Sequence, residues 1–87
     1  MAHPVPRITL YGRPGCHLCE QVEATLGPLQ RTLGFTLDVV NIEAEAALLE
    51  RYFLEIPVIA LGGSVIARAP IDRRALPGLL RSALARD

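Results

Sequence analysis

The chain has 87 residues, 51% of them hydrophobic, and its nine arginines balance nine acidic residues without a single lysine. So short a chain supports one core, which predicts a single domain over residues 1–87, and its apolar content argues against disorder. Zero formal charge gives no support to a nucleic-acid partner, and no apolar run approaches the ~20 residues of a membrane span.

Residues 1–6 contain two prolines, which withhold backbone donors, and read as a loose lead-in. They lack the cationic start and apolar stretch of a secretion signal, so a cytoplasmic protein is expected. Residues 7–11 are a β-prone run, with Ile8 and Leu10 on one face and Thr9 and Tyr11 on the other. Gly12, Pro14 and Gly15 are turn residues. Behind them Leu18, Val22, Leu26, Leu29 and Leu33 recur at helical spacing as far as Gly34, a normal C-terminal stop. Pro28 removes one i→i−4 bond and predicts a kink or a break in that helix.

Residues 35–42 alternate and then turn apolar, as a second strand would. Residues 43–53, rich in Ala, Leu and Glu, predict a second helix with Leu48, Leu49 and Tyr52 facing inward. A third strand over 56–61 opens at Pro57. Gly62, Gly63 and Ser64 then make a hairpin turn into an antiparallel fourth strand, 65–69. Asp72 suits the N-cap of a last helix striped by Leu76, Leu79, Leu80, Ala83 and Leu84, with its regular part beginning near Pro77. The order β-α-β-α-β-β-α predicts an α/β fold: a small mixed four-stranded sheet with helices on both faces. Strands joined through helices are expected to pair in parallel.

Cys16 and Cys19 fall where the first strand turns into the first helix. A thiol at a helix N-terminus meets unpaired backbone N–H groups and the positive end of the dipole, both of which favour thiolate. Thiols so placed have pKa values of about 3.5–7.5 instead of about 8.5, and the thiolate is the nucleophile. Cys16, first in the motif and three residues after the cation Arg13, is the expected attacking sulfur. Cys19, a turn deeper, is the resolving one. A four-residue loop constrains the unfolded chain little, so a structural staple is not its purpose. C-x-x-C is also half of a zinc site, but zinc wants four ligands, and outside the motif only His3 and His17 are at hand. An imidazolium at His17 would favour the thiolate, whereas Leu18 is expected to pack on the helix's apolar face. Glu20, four residues after Cys16 and on the same face, would oppose the thiolate and moderate its pKa.

A C-x-x-C at the first strand–helix junction, within this element order, resembles the thioredoxin superfamily. The string Tyr11-Gly12-Arg13-Pro14-Gly15-Cys16-x-x-Cys19 is similar to the small bacterial glutaredoxins. These typically read Tyr-Ser-Lys-Pro-x-Cys-x-x-Cys, so Arg13 stands where a basic residue is expected. A second mark is Ile56-Pro57, with Pro57 forty-one residues after Cys16. The resemblance implies a cis-proline there, beside the cysteines, with the backbone N–H and C=O of Ile56 aimed at an extended substrate as at a sheet edge.

It further implies a thiol–disulfide oxidoreductase of protein disulfides or glutathione mixed disulfides. No cofactor would be bound, and glutathione or a thioredoxin-type reductase would be the electron donor. Its partners would be disulfide-bearing proteins, not membranes or nucleic acids, and it would act as a monomer. Arg13, Ile56, Pro57 and Asp72 are the expected substrate-binding residues, and Arg13, His17 and Glu20 are expected to tune Cys16. One departure stands out. Glutaredoxins carry Gly-Gly, a small residue and Asp before the last helix, where one end of glutathione is held. Here Asp72 fits the acidic position, but Ala69 and Pro70 replace the glycines, and a proline lacks the N–H donor. Two other classes fit the resemblance less well. A glutathione-ligated [2Fe–2S] carrier commonly has Gly or Ser near the motif, and a non-catalytic binding module has no need of either cysteine.

Overall fold

The computed structural model describes residues 4–86. His3, weighed above as a metal ligand, lies outside them. Strand β1 (Arg7–Gly12) runs through the middle of the sheet. Its alternation sends Ile8 and Leu10, both buried, to one face and Tyr11 to the other. Helix α1 (His17–Leu33) follows and returns the chain along the sheet, about 25 Å at 1.5 Å per residue. Strand β2 (Thr36–Asn41) then pairs parallel to β1, with Leu10 opposite Val39. Gly34 ends α1 in the left-handed region at φ 76°, a conformation open to glycine without a Cβ penalty.

Helix α1 runs unbroken through Pro28, against the expected split. Its C-terminal turn is tied down by the Gln30 amide. Nε2 donates to the Gly27 carbonyl at 3.3 Å, and Oε1 accepts the Leu37 N–H of β2 at 3.1 Å. Tertiary contact therefore holds a helix that proline alone would weaken.

A 3-10 turn (Ile42–Ala44) opens the next connection, where the sequence predicts the strand's end at Ile42 and a regular helix from Glu43. Helix α2 is correspondingly short, Ala46–Tyr52, about 10 Å. That is too short to carry the chain back along the sheet, so strand β3 (Val58–Leu61) starts at the end where β2 stopped. It pairs antiparallel to β1 on the side away from β2, with Tyr11 opposite Val58. The expectation of parallel pairing across this helix is thus corrected by helix length. Gly62 and Gly63, the former at φ 60°, turn the chain into the antiparallel strand β4 (Ser64–Arg68), giving the order β2-β1-β3-β4. A second 3-10 turn (Arg73–Ala75) leads into helix α3 (Leu76–Arg86), with Pro77 in its first turn, where the missing N–H has no intrahelical partner to lose.

Two apolar clusters hold the layers. Ile8, Leu10 and Ile59 meet Val22 and Leu26 of α1 and Leu76 and Leu80 of α3 on one face. Ile42, Tyr52 and Val58 make the other cluster, with Tyr11, Leu48 and Leu49 against it. Tyr11 and Tyr52 stack with ring centroids 4.7 Å apart. Fully burying a Leu or Ile side chain contributes roughly 1.5–3 kcal/mol, so the α1–α3 face carries most of the fold. The sheet thus has helices on both faces, as the element order predicts.

Candidate active site

The chain leaves β1 through a β-turn at Arg13, Pro14, Gly15 and Cys16, closed by the Cys16 N–H donating to the Arg13 carbonyl at 3.2 Å. Proline second and glycine third, the glycine at φ 81°, are what a type II turn requires. The turn sets Cys16 as the N-cap of α1, at φ −82° and ψ 102°. Its Sγ accepts the Cys19 backbone N–H at 3.1 Å, and its carbonyl accepts the Glu20 N–H at 3.1 Å. A sulfur held in this way faces an orphan helix donor.

Cys16 and Cys19 are joined as a disulfide, with Cα atoms 5.2 Å apart. Cys16 is half-buried, while Cys19 is only 5% exposed. The buried stripe of α1 is therefore Cys19, Val22 and Leu26, spaced i, i+3, i+7. Leu18, expected on that stripe, is instead 58% exposed, because the stripe turns on Cys19 and Leu18 sits about 100° around from it. Gly12 explains how Cys19 fits. A Cβ on Gly12 would lie 3.0 Å from both Cβ and Sγ of Cys19, so the strand comes this close only because glycine ends it.

The Ile56–Pro57 bond is cis, and so is Ala69–Pro70, where the sequence marks the loss of the glycines but not the geometry of the bond. The β1–β3 register pairs Tyr11 with Val58, so Pro57 stands one residue beyond the last paired position, at the end of β1 from which Gly12 leads into the cysteine turn. The Ile56 N–H donates to the Tyr52 carbonyl at 3.1 Å, closing the end of α2. Of the two backbone groups expected to face a substrate, the N–H is thus already committed, which leaves the carbonyl. The Ala69 N–H is shared between the Glu55 and Pro57 carbonyls, and Arg68 pairs with Glu55 at 3.2 Å; together these dock the residues before Pro57 onto β4.

Two openings lie against the first turns of α1, and Cys19 lines one of them. One, of about 260 Å³, lies between α1 and β2 and is lined by Gly12, Arg13, Cys19, Glu20 and Glu23. The other, of about 120 Å³, is lined by Leu18, Gln21, Pro57, Pro70, Ile71 and Arg73. Arg13 is exposed and has no ion-pair partner among the described residues. His17 Nδ1 and Glu20 Oε1 stand 3.9 Å apart with side chains 86% and 64% exposed, so solvent screens what either does to Cys16. Asp72 Oδ1 accepts the Arg74 N–H at 3.0 Å as the cap of the 3-10 turn, and Asp72 lines neither opening. From the sequence Gly12 carries no role beyond the turn, and Arg73, which lines the second opening, is not singled out. The type II turn before Cys16 was a usable signal for a close approach at Gly12, whereas nothing local marked Arg73. No group of three or more metal-ligating side chains occurs among the described residues.

Comparison with known proteins places these features in a family. Residues 7–81 match the family described as Glutaredoxin-like domain (DUF836). A Nitrosomonas europaea protein solved by NMR in solution is similar at 29% identity and TM-score 0.71, over 90% of this chain and 94% of its own. An X. campestris protein solved by X-ray is similar at 32% identity and TM-score 0.67, over 92% and 97%. A malarial protein at 18% identity and TM-score 0.67, over 93% and 99%, shares the fold. No curated protein matches the chain.

Proposed function

The chain belongs to the Glutaredoxin-like domain (DUF836) family, and from that premise we propose that it is a thiol–disulfide oxidoreductase in which Cys16 attacks and Cys19 resolves. The observation that carries this reading is the asymmetry of the pair: a partly buried cysteine at the helix cap and a buried one a turn below it. In the reduced protein the Cys16 thiolate attacks one sulfur of a substrate disulfide. The S–S bond breaks, the other substrate sulfur leaves as a thiolate that takes a proton from water, and a mixed disulfide forms. Cys19 then gives up its proton and attacks Cys16 Sγ. The second substrate thiolate departs, two electrons have passed to the substrate, and the Cys16–Cys19 disulfide remains. The exchange runs on sulfur alone.

Two molecules of a small thiol such as glutathione, or a thioredoxin-type reductase, would return the disulfide to the dithiol. The Cys19 backbone N–H at 3.1 Å supports the Cys16 thiolate, and Arg13 adds a cation on the same turn. An extended substrate would meet the Ile56 carbonyl beside Pro57. The cytoplasm, where thiols are kept reduced, is the compartment suited to this work. The test is to mix oxidised protein with excess glutathione, or with thioredoxin reductase and NADPH, and count alkylated cysteines by intact mass. Two alkylations with one donor, followed by reduction of a protein disulfide, is the expected result. A reduced protein that opens no disulfide faster than its Cys16→Ser variant overturns the reading.

A further inference from the structure

The opening beside Pro57 has a chemistry that the thiol exchange does not use. At about 120 Å³ it is the smaller of the two openings, against about 260 Å³ for the other, and suits a side chain of an extended segment. Its walls are mostly apolar, from Leu18, Val22, Pro57, Pro70 and Ile71. The polar groups among its lining residues are the Gln21 amide and the Arg73 guanidinium. Arg73 has no carboxylate partner among the described residues, in contrast to Arg7 and Arg68, which are paired.

Its backbone is nonetheless fixed. Asp72 caps the turn through the Arg74 N–H, the Arg73 carbonyl accepts the Leu76 N–H, and Leu76 is buried in the larger cluster. Pro70 offers no N–H to a ligand's carboxylate. An anion entering here therefore meets the Arg73 side chain, with its planar fork of donors.

We infer that this opening reads an acidic residue next to the reacting cysteine of a protein disulfide, with Arg73 as the residue that selects it. This rests on the oxidoreductase reading and adds the substrate class. A protein segment is favoured over a small thiol because large apolar side chains are exposed in the wall of the opening and close to Pro57 along the chain. Leu18 is 58% exposed in the wall of the opening, and Leu54, three residues before Pro57, is 86% exposed. These offer contact area to a polypeptide that a tripeptide would leave uncovered.

The test compares three oxidised substrates on the reduced full-length protein: a Cys-Glu peptide disulfide, its Cys-Gln twin, and glutathione disulfide. The wild type is expected to prefer the Glu peptide over the Gln peptide about fivefold in kcat/KM, through KM, with the preference shrinking as salt rises. Arg73→Gln should bring the ratio close to one, Arg73→Lys should keep part of it, and Arg74→Gln should retain it. Equal rates for the Glu and Gln peptides in the wild type overturn the inference and leave the oxidoreductase reading standing. Arg73 dependence confined to glutathione disulfide overturns the peptide assignment. Reduction of none of the three overturns both readings.

Discussion

Gly12 holds β1 against the buried thiol with no atom to spare, since a Cβ would stand 3.0 Å from two atoms of Cys19. Cys19 is 5% exposed and fixed in the helix stripe, so it cannot step aside cheaply. Gly12→Ala should destabilise the protein by about 1–3 kcal/mol, the usual range for overpacking, and slow closure of the Cys16–Cys19 disulfide. Urea unfolding and timed alkylation read the two effects, and an unchanged midpoint would show that α1 yields. Cys19→Ser should leave Cys16 trapped as a mixed disulfide with substrate, visible as a mass increase equal to one substrate half. Absence of that adduct would mean that Cys16 is not the attacking sulfur. Glu20 was read as an opponent of the thiolate, but it faces solvent and His17. Glu20→Gln should therefore speed Cys16 alkylation near neutral pH only slightly, because an exposed charge is screened. Both cysteines were legible in the sequence as one motif. The position of Arg73 was not, because a cleft lined from α1, from Pro57 and from the segment between β4 and α3 has no signature in any one stretch.

Among elements, the two ends of the fold behave differently. Asp72 works as a cap, its Oδ1 on the Arg74 N–H, and Asp72→Ala should cost about 1 kcal/mol of stability. In a domain this small that is a fall of roughly 4–8 °C in melting temperature. If the same variant also lost activity on glutathione disulfide alone, the carboxylate would be a ligand contact as well as a cap. Helix α1 shows why proline misleads when read locally. Pro28 forfeits one backbone bond, yet the helix continues because Gln30 bonds both Gly27 and Leu37 and because Leu26 is buried beside it. Helix periodicity and turn chemistry were readable in each segment. The direction of β3 was not, since it depends on how far α2 carries the chain.

For the whole molecule, stability comes from the two apolar faces and only slightly from the disulfide. A four-residue loop gives about 2 kcal/mol in the chain-entropy estimate. Complete reduction should therefore shift the urea midpoint modestly and leave the protein folded, as a dithiol that cycles must be. Unfolding on reduction would contradict a redox role for the pair. Leu80 is fully buried between α3 and the sheet, so Leu80→Ala should cost about 2–5 kcal/mol, more than losing the disulfide. No helix among the described residues is long and apolar enough to cross a membrane.

The sequence by itself determined the element order, the dithiol at a strand-to-helix junction and the inward faces of β1 and of α2. Each of these rests on spacing within one stretch, where a period of two or 3.6 residues reports burial directly. Only the tertiary structure decided that β3 runs antiparallel to β1, that Gly12 makes room for Cys19 and that the Ile56 N–H is already bonded. It also decided that Leu18 and Arg73 share a cleft with Pro57 and Pro70. These depend on residues far apart in the chain meeting in space, and local periodicity carries no record of such meetings.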